Sequence, residues 1–548
     1  MASLVLGPVL RYVSETEAVV WVETDEACAV EVLDHRERTF CVEGHHYALL
    51  PIEGLEPGTT YEYEVTLDGE RRWPEPDSEF PPSAIRTLGS GEPVRLCFGS
   101  CRVSLPHHGP YVLSKDETDA GREFDALYSL AHEMLRQDRD EWPHALVMLG
   151  DQVYADEVSL ETLAFIRKRR DVREPPGEEV ADFEEYTRLY RESWCDPTIR
   201  WLFSTVSCSM TIDDHDVHDD WRISEAWVRE MEGEDWWKKR ECAAIASYWL
   251  YQYLGNLSPR VLAENGLFQE IREADDGGPA LWKFANRERG LDDGERWSFC
   301  RDLEGTRLLV LDSRNGRVLD EERRSILDPA EWEWLEEHLY GDYDHLLIGT
   351  SDPVFLAPGL HHVERWGEAI AGGAWGRPGT RLGERARQGL DLDHWAAFGD
   401  SFQRLAGLLA GVASGRYGSP PASVTVISGD VHHAYLSEVG FPGADGLSSN
   451  VWQAVCSPFR NALNRHERAM IRFGNSRTGA LLGRGLARLA GVEPERVRWK
   501  LVEGPYYDNQ VATLSLQGRQ ATLKLERTVG DPDSDHRELH TSFERPLA

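Results

Sequence analysis

Thr211 to Trp221 reads TIDDHDVHDDW, five aspartates and two histidines in eleven residues. Like charges at this density repel one another, and a chain does not normally gather them without a counter-charge. The residues alone allow two readings. One is a solvated acidic loop; the other is a set of ligands around a multivalent cation.

The stretch has company. Five short apolar runs also end abruptly in polar residues: VRLCFGSCR at Arg102, HALVMLGDQVYADE at Glu157, RLLVLDSR at Arg314, LLIGTSD at Asp352 and SVTVISGDVHH at His433. The aspartate-rich segment itself follows an apolar-leaning run, WLFSTVSCSM. An apolar run of this length cut off by polar residues reads as a buried strand entering a loop, and in layered α/β proteins such loops converge on one edge of the sheet. The residues expected to meet there are Ser100, Cys101 and Arg102; Asp151, Tyr154 and Asp156; Asp213, Asp214, His215 and Asp216; Asp312 and Arg314; Ser351 and Asp352; and Asp430, His432 and His433. Oxygen donors dominate, with one thiol and a few imidazoles. That mixture suits hard divalent or trivalent ions better than a tetrahedral structural zinc. Arg102 and Arg314 could grip a phosphate through a bidentate fork. Asp213, Asp216, His218, Asp219 and Asp220 read as orienting or capping groups. His433 reads as structural, because adjacent strand residues point apart.

The elements that must position these residues change texture along the chain. Up to about residue 90, short strands alternate apolar and polar residues: AVVWVET (18–24), CAVEVL (28–33) and YEYEVTL (61–67). The Pro-Gly turn and tyrosine-rich strand of GLEPGTTYEYEV (54–65) look like the strand E to strand F corner of a fibronectin type III or immunoglobulin-like sandwich. PPSAIRTLGSGEP (81–93) reads as a linker. From Val94 on, apolar runs alternate with helical stretches such as 124–137 and 329–340, the signature of an α/β layered domain. The expected division is a β-sandwich over 1–90 and a second domain over 91–548, its core at 91–460 and a helical and hairpin extension at 461–548. The tail NQVATLSLQGRQATLKLERT (509–528) reads as a hairpin pairing onto a sheet. The acidic run 177–185 reads as a solvated helix face, and the segments around Gly277 and Gly373 as insertions.

GDQVYADE, IDDHDVHDD and SGDVHH, in that order, closely resemble the metallophosphatase domain of the alkaline phosphatase D (PhoD-like) family, within the calcineurin-like metallophosphoesterases. FGSCR, YRESWCDPTIRWLFSTVSCSM, VLDSR and LDPAEWEWLEEHL agree in order. The resemblance covers about residues 90 to 460 and the tail. It implies a layered α/β metallophosphoesterase sandwich behind the β domain, and hydrolysis of phosphomonoesters or phosphodiesters at a binuclear or trinuclear metal site. By the same resemblance, Asp151 bridges two metals, Cys101 and Tyr154 ligate ferric iron, and Asp214 takes the place of an asparagine ligand of the second metal. His215 faces the phosphate, and Asp430 and His432 close the shell. Iron with calcium is the implied metal pair, with manganese or zinc as substitutes. One departure stands out: GTSDPVF (349–355) lacks the histidine that many relatives carry after this strand, and His361 and His362 lie further on. The second site is therefore expected to be rich in oxygen. Relatives with phosphodiesterase or phospholipase-D-like activity define one alternative. A non-catalytic phosphate- or metal-binding scaffold defines another. Specificity is expected to reside in residues 260–300 and 360–390.

Composition bounds the partners. The 59 basic and 95 acidic residues give a net charge of −36, which repels nucleic acid and anionic membrane surfaces as a whole-chain field. A small phosphate ester is still admissible, because bound metal reverses the local sign. MASLVLGPVLRYVSETEAVVW has neither a basic n-region nor a long apolar run, no window approaches a membrane span, and nine irregularly spaced cysteines suit reduced thiols. The expectation is a cytoplasmic enzyme; the sequence leaves its oligomeric state open.

Overall fold

The computed structural model describes residues 1–289, 294–443, 446–532 and 537–548. Its first part is all β. One four-stranded antiparallel sheet runs Leu4–Val13, Glu17–Thr24, His45–Glu53 and Phe40–Val42, and a second runs His35–Arg38, Ala29–Val32, Val65–Leu67 and Glu70–Trp73. The two enclose a small core that includes Val20, Val30, Leu50 and Val65. The tyrosine corner is present, with Glu56 N–H donating to Tyr61 Oη at 2.7 Å. YEYEVTL, read as one strand, is two: Thr60–Glu62 pairs with Ala84–Arg86, and Val65–Leu67 joins the second sheet. The segment read as a linker therefore contributes a strand of its own.

Two larger sheets follow. In the first, the parallel strands Ser207–Thr211, Ala145–Leu149 and Val94–Gly99 continue into the antiparallel Gln510–Gln517, Gln520–Gly530 and Arg537–Pro546. In the second, Thr306–Val310, His345–Thr350, Ser423–Ser428 and Asn450–Val455 run parallel, edged by Phe299–Leu303, Ala434–Gly440 and Arg498–Tyr506. Leu96, Phe98, Val147 and Leu149 of one sheet pack on Leu308, Leu347 and Ile427 of the other. Helices cover the outer faces, so Ala145–Leu149 is buried along its whole length, as an internal parallel strand must be. The expected hairpin forms and pairs with Val94–Gly99, so that Gln510–Gln517, Gln520–Gly530 and Arg537–Pro546 make half of the first sheet rather than an appendage.

Caps set the helix starts. Asp125 accepts from Leu127 and Tyr128 N–H ahead of Ala126–Met134, and Asp196 and Asp328 precede helices that open with proline, Pro197–Thr205 and Pro329–His338. The acidic run 177–185 is only partly solvated: Glu185 is buried and paired with Arg170 at 3.0 Å. The segments read as insertions are largely helical, over Pro259–Glu264, Gly266–Glu273 and Gly278–Glu288, and over Pro358–Ala371 and Gly376–Gly389. Residues 290–293 of the first lie outside the described residues. No helix among the described residues is long and apolar enough to cross a membrane, and the nine cysteines are free thiols.

The β domain is not loosely attached. Trp21, Tyr47 and Leu49 share one core with Trp194, Tyr251 and Phe268 of the α/β part. Trp21 meets Trp194 edge-on at 5.8 Å, and Tyr190 stacks on Tyr251 at 4.2 Å.

Candidate metal centre

The C-terminal ends of the parallel strands in both sheets open onto one edge, and the loops there bring the acidic residues together. The Cys101 thiol, an Asp151 carboxylate oxygen and a ring nitrogen of His432 all lie within 4.8 Å of one another. The same holds for Asp151, Asp213, Asp214 and Asp430, and for Asp151, Asp214 and His215. Asp151 belongs to all three groups. Tyr154 Oη donates to Asp151 Oδ2 at 3.3 Å, and Asn461 holds the same hydroxyl at 3.3 Å.

The backbone is bent to do this. Cys101, Asp151, Asp430 and His432 have φ of 57°, 54°, 63° and 50°, in the left-handed region that non-glycine residues rarely enter. Four such residues in one cluster is strain concentrated at a site. Gly150 and Gly429 make room: a Cβ on Gly150 would stand 2.4 Å from Asp213 Cβ, and one on Gly429 would stand 2.0 Å from Ser100 Oγ. Asp216 organises the Asp151 loop. Its carboxylate accepts the N–H groups of Asp151, Gln152, Val153 and Asp213 at 3.0–3.2 Å and the Gln252 amide at 3.1 Å.

The donor set fits a cation. Asp151 Oδ1, Asp213 Oδ2 and Asp214 Oδ1 are buried with no hydrogen-bond partner, and a buried carboxylate oxygen left bare is costly unless a cation meets it. Burial, partly offset by His215 and reinforced by Asp214, Asp216 and Asp430, pushes Asp151 well above the usual carboxylate range. Burial and the neighbouring Asp151 and Asp430 likewise raise the Cys101 thiol. Protein groups alone do not compensate these charges.

The two arginines read as phosphate grips have other partners. Arg102 is not brought to the cage: it donates from Nε to Asp125 Oδ2 at 2.8 Å and from Nη1 to Ser193 O at 2.8 Å. Cys101 turns the chain with its positive φ, and the next side chain goes to Asp125 and Ser193 instead. Arg314 does line the cavity, but its guanidinium is committed to Asp213, Asp352 and Asp393. Its Nη2 lies 3.7 Å from Asp214 Oδ1 and 3.8 Å from Asp430 Oδ1. Arg317 repeats the arrangement, reaching Asp352 Oδ2 at 2.8 Å and Asp393 Oδ2 at 3.0 Å.

His215 stands at the cavity wall with Nδ1 3.0 Å from both Asp156 oxygens and its ring 4.6 Å from that of Tyr154. Burial disfavours the imidazolium, yet Asp156, Asp214 and Asp151 outweigh it and hold the ring well above its ordinary pKa. His433 is buried, with Nδ1 2.6 Å from Val431 O and its ring stacked on Tyr435.

Sequence reasoning missed His394 and Glu364. His394 Nε2 reaches Asp430 at 2.9 Å and its other ring nitrogen faces Glu364. His361 is not near the cage; it packs among Phe402 and Trp499 and faces Glu495. LDLDHW (390–395), where His394 sits, follows no buried strand of the kind that precedes the other site residues, so only its Asp-His pair could have drawn notice. The cavity over the cage measures about 310 Å³, and its lining includes Leu356, Leu360, Leu390, Leu392, Leu463 and Ile471. Residues 260–300, expected to shape specificity, contribute nothing to that lining among the described residues, whereas 360–390 contributes Leu360, Glu364 and Leu390.

Comparison with known proteins agrees with this geometry. Residues 119–268 match the PhoD-like phosphatase family, and residues 1–85 match a domain of unknown function, DUF7800. No curated protein matches the chain. Among solved structures, one described as the structure of PhoD superposes with a TM-score of 0.60 at 13% identity, covering 98% of this chain and 89% of that one. Purple acid phosphatase PPD1 from yellow lupin (Lupinus luteus) seeds gives a TM-score of 0.47 at 11% identity, covering 98% and 73%. The stretch that carries Asp151, Tyr154, Asp214 and His215 thus lies inside the match to the PhoD-like phosphatase family, and the chain shares the fold of that PhoD structure.

Proposed function

We propose that the chain hydrolyses phosphomonoesters or small phosphodiesters at the cage around Asp151. The observation that carries this reading is the set of bare, buried carboxylate oxygens on Asp151, Asp213 and Asp214, beside a cavity of about 310 Å³. Cys101, Asp151, Tyr154 and His432 would hold one ion, with ferric iron suited to the thiol and phenol. Asp151, Asp214 and Asp430 would hold a second, with calcium suited to the oxygen donors. When bound, such ions supply charge neutralisation of the phosphate and a lowered pKa for water.

The chain's own residues do the rest. Asp216 fixes the Asp151 loop through three backbone hydrogen bonds and is itself held by Asp213 N–H and the Gln252 amide, so the cage needs little reorganisation. Arg314 pairs with Asp213 and Asp352 and offsets part of the burial that would otherwise favour their neutral forms. His215, held protonated by Asp156, is placed to donate a proton from Nε2 to the departing ester oxygen. The leucines in the cavity lining suit an ester with an apolar group.

The test is turnover of p-nitrophenyl phosphate and bis-p-nitrophenyl phosphate with iron, calcium or manganese supplied; relative rates separate monoesterase from diesterase. No rate above an Asp151→Asn control under any condition would remove the proposal, and a protein that binds metal stoichiometrically without turnover would be a scaffold. Thiolate or phenolate on ferric iron absorbs visible light, so the purified protein should be coloured, and the colour should fade in Cys101→Ser, Tyr154→Phe. Colourless, zinc-loaded protein would overturn the iron assignment alone.

A further inference from the structure

The helix Arg477–Leu489 is packed inside out. It buries Gly479, Gly483 and Ala487 against Pro358–Ala371, while Leu481, Leu482, Leu486 and Leu489 are 68%, 58%, 37% and 73% exposed. A surface helix ordinarily does the reverse, with large apolar side chains inward. Its neighbour Arg465–Gly474 adds Met470 and Phe473, 67% and 53% exposed. Apolar groups this exposed and this clustered mark a surface that something covers.

The charge of the same surface says what. The helices Gly376–Gly389, Arg465–Gly474 and Arg477–Leu489 lie around Pro358–Ala371, and the segments 376–389 and 465–489 hold ten arginines against two glutamates. That is a formal +8 on a chain of −36; Arg387 is buried against Glu321 and Glu384 and Arg468 pairs with Glu123, so the other arginines carry the surface charge. Arg377, Arg381, Arg385, Arg477 and Arg488 are exposed and make no ion pair among the described residues. A second copy of this face would bring like charges together, so self-association through it is disfavoured. Exposed leucines and a phenylalanine among arginines instead match an amphipathic surface that lies in the interface of an anionic bilayer. Trp375, 40% exposed and bonded to Leu489 O at 3.1 Å, adds an aromatic ring of the interfacial kind.

We propose that this helical face docks on anionic lipid surfaces. Ile471, on the helix that carries Met470 and Phe473, lines the cavity over the metal cage, so docking holds the cavity mouth beside the lipid. The whole-chain charge keeps the remaining surface off the bilayer and orients the molecule. This inference goes beyond the hydrolase reading and stands without it, because binding is measured without turnover.

The test is flotation of the full chain with vesicles of phosphatidylcholine alone or mixed with phosphatidylglycerol, in low and high salt. The expected result is binding roughly tenfold or more tighter to the mixed vesicles, weakened by salt. Leu482→Ser, Leu489→Ser and, separately, Arg477→Glu, Arg488→Glu should each reduce it about tenfold or more. Both variants change exposed side chains, so melting temperature and p-nitrophenyl phosphate turnover should match the parent. Equal binding to both vesicle types, binding unaffected by either variant, or no binding to either would overturn the proposal. In that last case sedimentation decides what covers the face instead: a dimer abolished by the leucine variant means a second copy, and a monomer means a protein partner.

Discussion

His394 Nε2 lies 2.9 Å from Asp430 Oδ2, and the opposite ring nitrogen lies 2.7 Å from Glu364 Oε1. Burial disfavours the imidazolium, but Glu364 and Asp430 reverse this and raise the ring well above its ordinary value. A carboxylate behind a histidine that meets a cage residue is the arrangement by which outer groups fix ligand orientation. His394→Gln should therefore weaken metal binding by about 10–100-fold with little change in melting temperature. Titration calorimetry with calcium or manganese reads this directly, and an unchanged affinity would remove His394 from the site.

Arg314 and Arg317 alternate with Asp352 and Asp393 in a buried lattice, and Arg314 also holds Asp213. Removing one cation leaves several carboxylates without compensation. Arg314→Met should cost about 3–5 kcal/mol in denaturant unfolding. Arg314→Lys should recover only part of that, since an ammonium keeps the charge but not the fork that reaches three carboxylates. An Arg314→Lys protein as stable as the parent would show that geometry does not matter here.

His45 joins the two parts of the chain, with Nδ1 3.0 Å from Glu23 of its own sheet and Nε2 2.8 Å from Glu184 of the helix Phe183–Trp194. Burial acts to lower its pKa, but the two carboxylates raise it from 6.5 to about 9. A folded pKa above the unfolded one means stability that is complete below about pH 6.5 and lost as pH rises through 9. Glu184 is 43% exposed, so solvent screening discounts the effect to about 2 kcal/mol. The melting temperature should fall over that window in the parent protein, and His45→Gln should flatten the fall. A variant that keeps the full slope would assign it elsewhere.

Much of the site is legible in the sequence because buried strands announce their own ends. Gly150-Asp151 follows the unbroken apolar run ALVML and Gly429-Asp430 the valine-rich SVTVIS, and the loops after them have only one edge of the sheet to enter. What fails is one-residue direction. Cys101 and Arg102 are neighbours in one motif, but the left-handed turn at Cys101 sends them apart, and no pattern of residue types records a φ of 57°. His394 fails for a different reason. It is carried in by Trp395, whose Nε1 donates to Thr350 Oγ1 at 3.1 Å, a contact across 45 residues that local propensity does not encode. The β domain was legible as strands, while its fusion to the α/β core depends on Trp21, whose partners lie far along the chain.

That fusion reaches the metal cage. Arg11, fully buried, donates to Tyr251 O at 2.8 Å and to Gln252 O, and the Gln252 amide donates to Asp216, which holds the Asp151 loop. Burial lowers the Arg11 pKa to about 10, so the guanidinium stays charged, with carbonyl oxygens and an amide oxygen as its acceptors. Gly255 is the residue that lets it in, since a Cβ there would stand 2.3 Å from Arg11 Nε. Arg11→Met leaves two buried carbonyls without a donor, which should cost about 3 kcal/mol. Because those carbonyls belong to the segment that steadies Asp216, metal affinity should fall as well, whereas a seam that only glues two domains would lose stability alone. Gly255→Ala should reproduce both effects by displacing the guanidinium. Calorimetric melting beside metal titration on the two variants separates the cases: a drop in melting temperature with metal affinity unchanged would confine Arg11 to the seam.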